Sequence, residues 1–331
     1  MPSVGGTTRR PRVALVLGSG GIVGGAYHAG VLKALHDTWG IDARSVDLIV
    51  GTSAGSIAGS LTAAGLHPND LFRRETGKPL SPAGNALLTR GRRQRGARPV
   101  TRSAFGGPAA PEAVLNALAH PRRVSAGSVA AALMPRGVAR TDHVAGMIDG
   151  LFGDRWPDRP RLRFCAVELH TARRVVFGPE GDIDDLDGRA LQVAAKPAQA
   201  VAASCAVPSV FEPVTIGGRE YLDGGVHSAD NLDLVGTTPF DLIVVSSPMA
   251  SQKPLSGDLP LVALRELSRF QTIRERRSLP RGCRVEILRP TPEDLDAMGS
   301  NMLDPRRRPA VAFQAHASAS AQLSRRPHPT P

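Results

Sequence analysis

Val46-Asp47-Leu48-Ile49-Val50-Gly51-Thr52-Ser53-Ala54-Gly55, running on through Ser56-Ile57 to Ala64, is the stretch that decides the fold. Val46 to Val50 is a short apolar run of the kind buried on both faces of a parallel sheet. Ile57 to Ala64 has helical composition and stops near Gly65. Between them lies a turn of only a few residues, with Gly51 and Gly55 flanking Ser53 in a G-x-S-x-G pattern. Such a turn holds a serine clear of the sheet, and its glycines let backbone and helix approach closely. The helix beginning at Ala54 directs its positive end at Ser53, which favours a developing anion. By itself the turn also fits a serine that only caps a helix.

Upstream, Val13 to Leu17 is a second continuous apolar run bounded by glycine, and Ala26 to His36 is helical in composition. Strand, loop, helix, strand, sharp turn, helix is the pattern of an α/β protein with a parallel sheet. The connecting loop, Gly18-Ser19-Gly20-Gly21-Ile22-Val23-Gly24-Gly25, would present backbone N–H groups at a helix N-terminus as an anion cradle. A dinucleotide fingerprint needs glycine where Val23 stands, and no well-placed acid ends the second strand. The Gly-Lys-Ser/Thr ending of a phosphate-binding P-loop is also absent. What remains is an oxyanion hole for acyl transfer.

Downstream, the pattern predicts a basic, partly mobile insertion over 77–140 with one short helix near Glu112 to Leu118. A helix near His143 to Gly150 follows, then a hairpin of Leu162 to Glu168 with Arg174 to Phe177. An Ala-rich helix over Ala190 to Ser204, interrupted at Pro197, comes next. Short strands near Val214 and Tyr221 lead into Asp223-Gly224-Gly225, which taken alone is a turn. Phe240 to Ser246 and Arg284 to Leu288 are further strands on either side of an amphipathic helix over Leu261 to Arg277. The expected organisation is a flexible 1–11, an acyl hydrolase domain over 12–239, a strand–helix–strand unit over 240–304 completing it, and a helix with a polar tail over 305–331.

The glycine loop, the Ser53 turn and Asp223-Gly224-Gly225, in this order, resemble the patatin-like phospholipase family. Ala26-Tyr27-His28-Ala29-Gly30-Val31-Leu32 is similar to the helix after that family's oxyanion loop. Ala203-Ser204-Cys205-Ala206-Val207-Pro208 through Phe211-Glu212-Pro213-Val214 is similar to the stretch before its aspartate. The resemblance covers roughly Arg12 to Pro239. It implies a three-layer α/β/α fold around a central, mostly parallel sheet, and a Ser53–Asp223 dyad that needs no metal or other cofactor. It also implies an oxyanion hole from the N–H groups of Gly20, Gly21 and Ile22, and a lipid or phospholipid substrate. The family usually carries an arginine before the last glycine of the loop. Here that place falls on Val23 or Gly24, depending on the register.

Two other readings compete. A Ser-Asp-His esterase would recruit His227 or His316, whereas His28 precedes the serine on the first helix and suits a structural role. A lipid-binding or regulatory protein on the same scaffold would explain the missing arginine. The net charge of +11, from 41 basic and 30 acidic residues, favours anionic partners. The arginines between Arg90 and Arg102 lack the interleaved aromatics of a nucleic-acid surface, and suit peripheral contact with an anionic membrane instead. Cys165, Cys205 and Cys283 show neither metal-ligand spacing nor a paired framework, so free thiols are expected. Arg9-Arg10-Pro11-Arg12 resembles the start of an export signal, but the following apolar run breaks after five residues. A cytoplasmic, peripherally membrane-associated protein is the expectation; the oligomeric state is left open.

Overall fold

The computed structural model describes residues 10–92, 107–120, 124–179, 181, 186, 188–251 and 259–329. Val13–Leu17 forms β1 and Leu48–Gly51 forms β2, joined in parallel register with Leu15 opposite Ile49. Side chains along β1 alternate between two apolar layers. Val13, Leu15 and Leu17 enter the larger core, while Ala14 and Val16 enter a smaller one on the other face. Burial on both faces is why this run lacks polar alternation.

The sheet runs in the order β5 (Leu191–Gln192), β4 (Arg174–Phe177), β3 (Arg161–Glu168), β2, β1, β8 (Leu242–Ser246), β9 (Arg284–Leu288). From β3 to β9 every neighbour pair on this path is parallel; β4 is antiparallel to β3. Helices α1 (Gly21–Trp39), α2 (Ala54–Ala63) and α3 (Pro68–Thr76) follow the first two strands. Further along come α4 (Pro82–Arg92), α5 (Ala113–Ala119), α6 (Ala126–Ala132), α7 (Asp142–Phe152) and α8 (Pro197–Ser204). The chain ends with α9 (Leu259–Arg276), α10 (Pro292–Met298) and α11 (Arg308–Ser324). The larger core gathers residues of α1, α2, α3, α7, α8 and α11. On the other face a 3-10 turn, Leu232–Val235, covers the sheet and α9 packs against it. The architecture is a three-layer α/β/α fold with a mostly parallel central sheet.

Two expectations need correction. The helix expected from Ala190 starts at Pro197, because proline occupies its first turn and the residues before it form β5 at the sheet edge. The first helix begins at Gly21, five residues before the expected Ala26. In addition, α3, α4, α6 and α10 were not anticipated. Within the insertion, α5 falls where a helix was expected. Arg90 lies on α4, whereas the arginines from 93 to 102 lie outside the described residues.

One feature of the sheet positions the site. The first half of β3 pairs with β2, ending with Phe164 opposite Gly51. Where β2 turns away, β7 (Arg219–Asp223), itself hairpinned with β6 (Val214–Ile216), takes over pairing with β3, and Asp223 stands opposite Ala166. Ser53 lies two residues past Gly51, and Asp223 faces a residue two past Phe164. Both are thereby brought to one level of the sheet.

Candidate active site

Ser53 sits between β2 and α2 with φ 54° and ψ −119°, a backbone conformation that costs a non-glycine residue about 1–3 kcal/mol. The glycines around it are required by contact. A Cβ on Gly55 would lie 1.9 Å from the Leu17 carbonyl oxygen, and one on Gly51 would lie 2.8 Å from Ser56 Cα. The strained conformation is held from three sides. Ser53 N–H donates to Ser204 Oγ at 3.0 Å, and its carbonyl accepts from Ser56 Oγ at 2.7 Å and from Cys205 Sγ at 3.4 Å.

The Ser53 hydroxyl lies near enough to the Asp223 carboxyl to favour its charged form. Asp223 is itself anchored: its N–H donates to the Ala206 carbonyl at 2.9 Å, and its Oδ1 accepts from Gly225 N–H at 2.7 Å. Gly224 has no room for a side chain, since a Cβ there would meet the Cys165 carbonyl at 2.5 Å. Burial raises the Asp223 carboxyl from 3.8 to about 6, although the Ser53 hydroxyl and the Gly225 N–H pull the other way. A carboxylate there is still ionised at neutral pH and a stronger base than an exposed one.

The glycine loop closes the other side. Gly18 N–H and Ser19 N–H are taken by the Ser246 and Ala229 carbonyls, and Val23 and Gly24 by Met302 and Gly20. Between these pairs, the N–H groups of Gly20, Gly21 and Ile22 donate to no acceptor among the described residues. The N–H of Ala54, first residue of α2, is in the same condition, so donors from two helix N-termini flank Ser53. Gly20 is packed against Pro248, and a Cβ would meet it at 2.9 Å. His28 fixes the loop from below. Its Nε2 donates to the Gly18 carbonyl at 2.7 Å, and its Nδ1 accepts from Ser246 Oγ at 2.8 Å. Burial lowers His28 to about 4, so this imidazole is neutral at pH 7.

Ser53 opens into a cavity of about 440 Å³ that also reaches Gly21, Ile22 and Ala54. Its walls are largely aliphatic and aromatic, from Ile57, Leu61, Leu71, Val144, Phe211 and Leu303. Its polar side chains include Thr141, His143 and a cluster at Glu75, a buried carboxylate bridged by Arg74 Nη1 and Arg308 Nε, each at 2.7 Å. A serine hydroxyl, a buried carboxyl, a set of unengaged donors and an apolar trough together are an arrangement that can receive an acyl chain beside Ser53.

The model of a family described as patatin-like phospholipase matches residues 15–235. The chain belongs to that family. Solved structures that match the chain include VipD from Legionella pneumophila, at 13% identity over 96% of this chain and 67% of that one, TM-score 0.44. The type III effector ExoU, which a related structure places in Pseudomonas aeruginosa, is 17% identical over 95% of this chain and 53% of its own, TM-score 0.35. The human GIVD cytosolic phospholipase A2, solved with methyl gamma-linolenyl fluorophosphonate, is 12% identical over 96% and 60%, TM-score 0.35. The chain thus spans between about half and two thirds of the length of these proteins.

In this member of the family, the histidines nominated for a triad lie elsewhere. His227 is in a separate polar cavity with Arg174 and Asp233, and burial lowers it to about 3. His316 is on α11, paired with Asp37 at 2.9 Å. The histidine that does line the Ser53 cavity is His143 on α7, which the sequence reading did not single out. The family's loop arginine has no counterpart. Val23 is fully buried in the larger core, and a Cβ on Gly24 would be 3.6 Å from Pro248. Gly25 has open space and lines the cavity.

Asn231 is a second residue that the sequence reading missed. Its Nδ2 reaches Thr52 Oγ1 at 3.1 Å and the Ser228 carbonyl at 2.6 Å, tying the Ser53 turn to the Asp223 segment. All three cysteines are free; burial pushes the Cys165 and Cys205 thiols well up and makes them inert.

Proposed function

We propose that this protein is a lipid acyl hydrolase that cleaves carboxylic esters by a Ser53–Asp223 dyad through an acyl-enzyme. Membership of the patatin-like phospholipase family supports lipid acyl hydrolysis at the family level. The observation that carries the finer reading is the Ser53 hydroxyl set near a buried Asp223 carboxyl, beside unengaged N–H donors in the lining of an apolar cavity. Asp223 takes the Ser53 proton as Oγ attacks the ester carbonyl. The N–H groups of Gly20, Gly21 and Ile22, joined by that of Ala54, receive the oxyanion, each such donor contributing about 10²- to 10³-fold in rate. The tetrahedral species collapses and Asp223 returns its proton to the departing alcohol. Water then gives a proton to Asp223 as its oxygen attacks the acyl-Ser53 carbonyl; the second tetrahedral species collapses by breaking the bond to Ser53 Oγ, Asp223 returns the proton to that oxygen, and the fatty acid leaves.

The aliphatic trough suits the acyl chain, and the two arginines at Glu75 leave excess positive charge in its wall for an anionic headgroup. The absent loop arginine favours a second reading, a lipid-binding protein without turnover. A fluorophosphonate probe separates the two. Labelling of the native protein, lost in Ser53→Ala, is expected; an unlabelled native protein sinks the hydrolase. Activity is then ranked on phospholipids, lysophospholipids, acylglycerols and p-nitrophenyl esters.

A further inference from the structure

Helix α9 is amphipathic in the opposite sense to a soluble surface helix. Its inward residues are polar: Arg265, Ser268 and Thr272 are 2%, 2% and 1% exposed. Their partners are polar too. Arg265 Nη1 donates to the Pro248 carbonyl at 2.8 Å, Thr272 Oγ1 donates to Asp230 Oδ2 at 2.5 Å, and Glu275 Oε2 accepts from Leu232 N–H at 2.8 Å. The outward residues are apolar: Leu264, Leu267, Phe270 and Ile273 are 47%, 51%, 60% and 37% exposed. At 100° per residue, Phe270 points directly away from the centre of the buried face. A surface helix in water normally turns its apolar stripe inward.

The surroundings of this stripe are cationic. Between 262 and 281 six arginines stand against two glutamates. Arg269 lies over the Phe270 ring at 5.1 Å from its centroid. Arg274 shares the outward face, and Arg276, Arg277 and Arg281 follow it. An apolar face carrying arginines on a helix too polar to span a bilayer is the pattern of an element lying in the lipid interface. The helix is also pinned to the frame of the Ser53 cavity. Pro248, which accepts from Arg265, packs on Gly20 and Gly24, and the Arg265 guanidinium reaches Met302 Sδ at 3.7 Å. The next residue, Leu303, lines the cavity and is itself exposed.

We propose that the outward face of α9 docks on an anionic lipid surface, with Leu267, Phe270 and Ile273 entering the acyl boundary and the arginines meeting lipid phosphates. The charge pattern matches an anionic bilayer, and the helix's contact with the cavity frame would bring the mouth of the site to the lipid. Binding is read without turnover, so its outcome is independent of the hydrolase reading. The test uses the full chain carrying Ser53→Ala and sedimented vesicles, either pure phosphatidylcholine or phosphatidylcholine with phosphatidylglycerol at 7:3. Stronger binding to the anionic vesicles is expected, weakened about 100-fold by Leu267→Gln with Phe270→Gln. Both positions are exposed, so an unchanged thermal melt checks the fold of that variant. Phe270→Trp should show a blue-shifted emission on anionic vesicles and quenching by lipids brominated in the acyl chain. Unaltered vesicle binding by the double glutamine variant, or an unshifted tryptophan, overturns the proposal. So does self-association of the parent that the glutamines abolish without any vesicle binding, which would assign the face to a second copy of the chain.

Discussion

Replacing Asp223 by Asn should make the protein more stable at neutral pH while removing its activity. Burial raises the Asp223 carboxyl from 3.8 to about 6, so the folded state holds this proton more tightly than the unfolded chain does. Stability drawn from this group is fully present below pH 3.8 and is lost as pH rises through about 6. Above that, the fold carries a buried carboxylate at a cost of up to about 3 kcal/mol, at about 1.4 kcal/mol for each unit between the two values. Asn keeps an oxygen for the Gly225 N–H and removes the charge. Urea unfolding of both proteins from pH 4 to pH 8 should therefore show little difference at pH 4 and a gap of about 1–3 kcal/mol in favour of the variant at pH 8. The same ionisation should appear in catalysis. For the native protein kcat/KM should rise with pH through about 6 and then level off. In the variant it should fall by at least about 10²- to 10⁴-fold, the usual contribution of a general base. A variant that is less stable than the native protein at pH 8, or a gap that does not change with pH, would refute the reasoning.

Ser53→Gly should abolish fluorophosphonate labelling and raise stability by about 1–2 kcal/mol, because glycine adopts φ 54° without strain; calorimetry checks this. Two further glycine substitutions should part company. Gly55→Ala drives a methyl into the Leu17 carbonyl and should cost about 3 kcal/mol or more, whereas Gly25→Ala, with open space in α1, should gain about 0.5–1 kcal/mol. Denaturant titration of the pair is the measurement. His28→Ala leaves the Gly18 carbonyl and Ser246 hydroxyl without their partner and should cost about 2–4 kcal/mol. Its fluorophosphonate labelling should slow but persist, since the loop is loosened while Ser53 remains; complete loss of labelling in a folded variant would contradict a positioning role.

The parallel strands were legible because burial on both faces leaves continuous apolar runs such as Val13 to Leu17 and Phe240 to Ser246. The start of α1 was not, because Gly24 and Gly25 count against a helix in any local reading. The helix holds there through tertiary contacts, with Gly24 against Pro248. Pro197 was read as an interruption when it occupies the first turn of α8. Helix α3 escaped because Pro68-Asn69-Asp70 reads as a loop. Its first turn holds Pro68 and Asp70, Gly77 caps its end, and the His67 Nδ1 acceptor for Asn69 N–H and packing of Leu71 and Phe72 into the core complete it.

In the candidate site, the Ser53 turn and the glycine loop carry local signals. The pairing of β7 with β3 that carries Asp223 to Ser53 has none; the association of Asp223 with Ser53 was implied only by the order of motifs in a family. Ser204 and Cys205 lie in a stretch that the resemblance covers, but their hydrogen bonds to the Ser53 backbone depend on a fold that brings distant segments together. The amphipathic character of α9 was visible as well. A helical pattern shows two faces, however, and is silent about which one meets the protein.

The pairing of β3 with β2 along one half and β7 along the other has a consequence for how this architecture can diversify. The separation of Ser53 and Asp223 is set by counting residues along one strand, not by the length or conformation of any loop. The chain between α2 and β3, from α3 through α7, can lengthen, shorten or be exchanged without moving either group, provided that β3 keeps its register. Substrate range can therefore change in that segment while Ser53 and Asp223 stay fixed. A deletion of one residue within β3 would do the reverse, shifting Asp223 by a full residue step and turning it to the other face of the sheet.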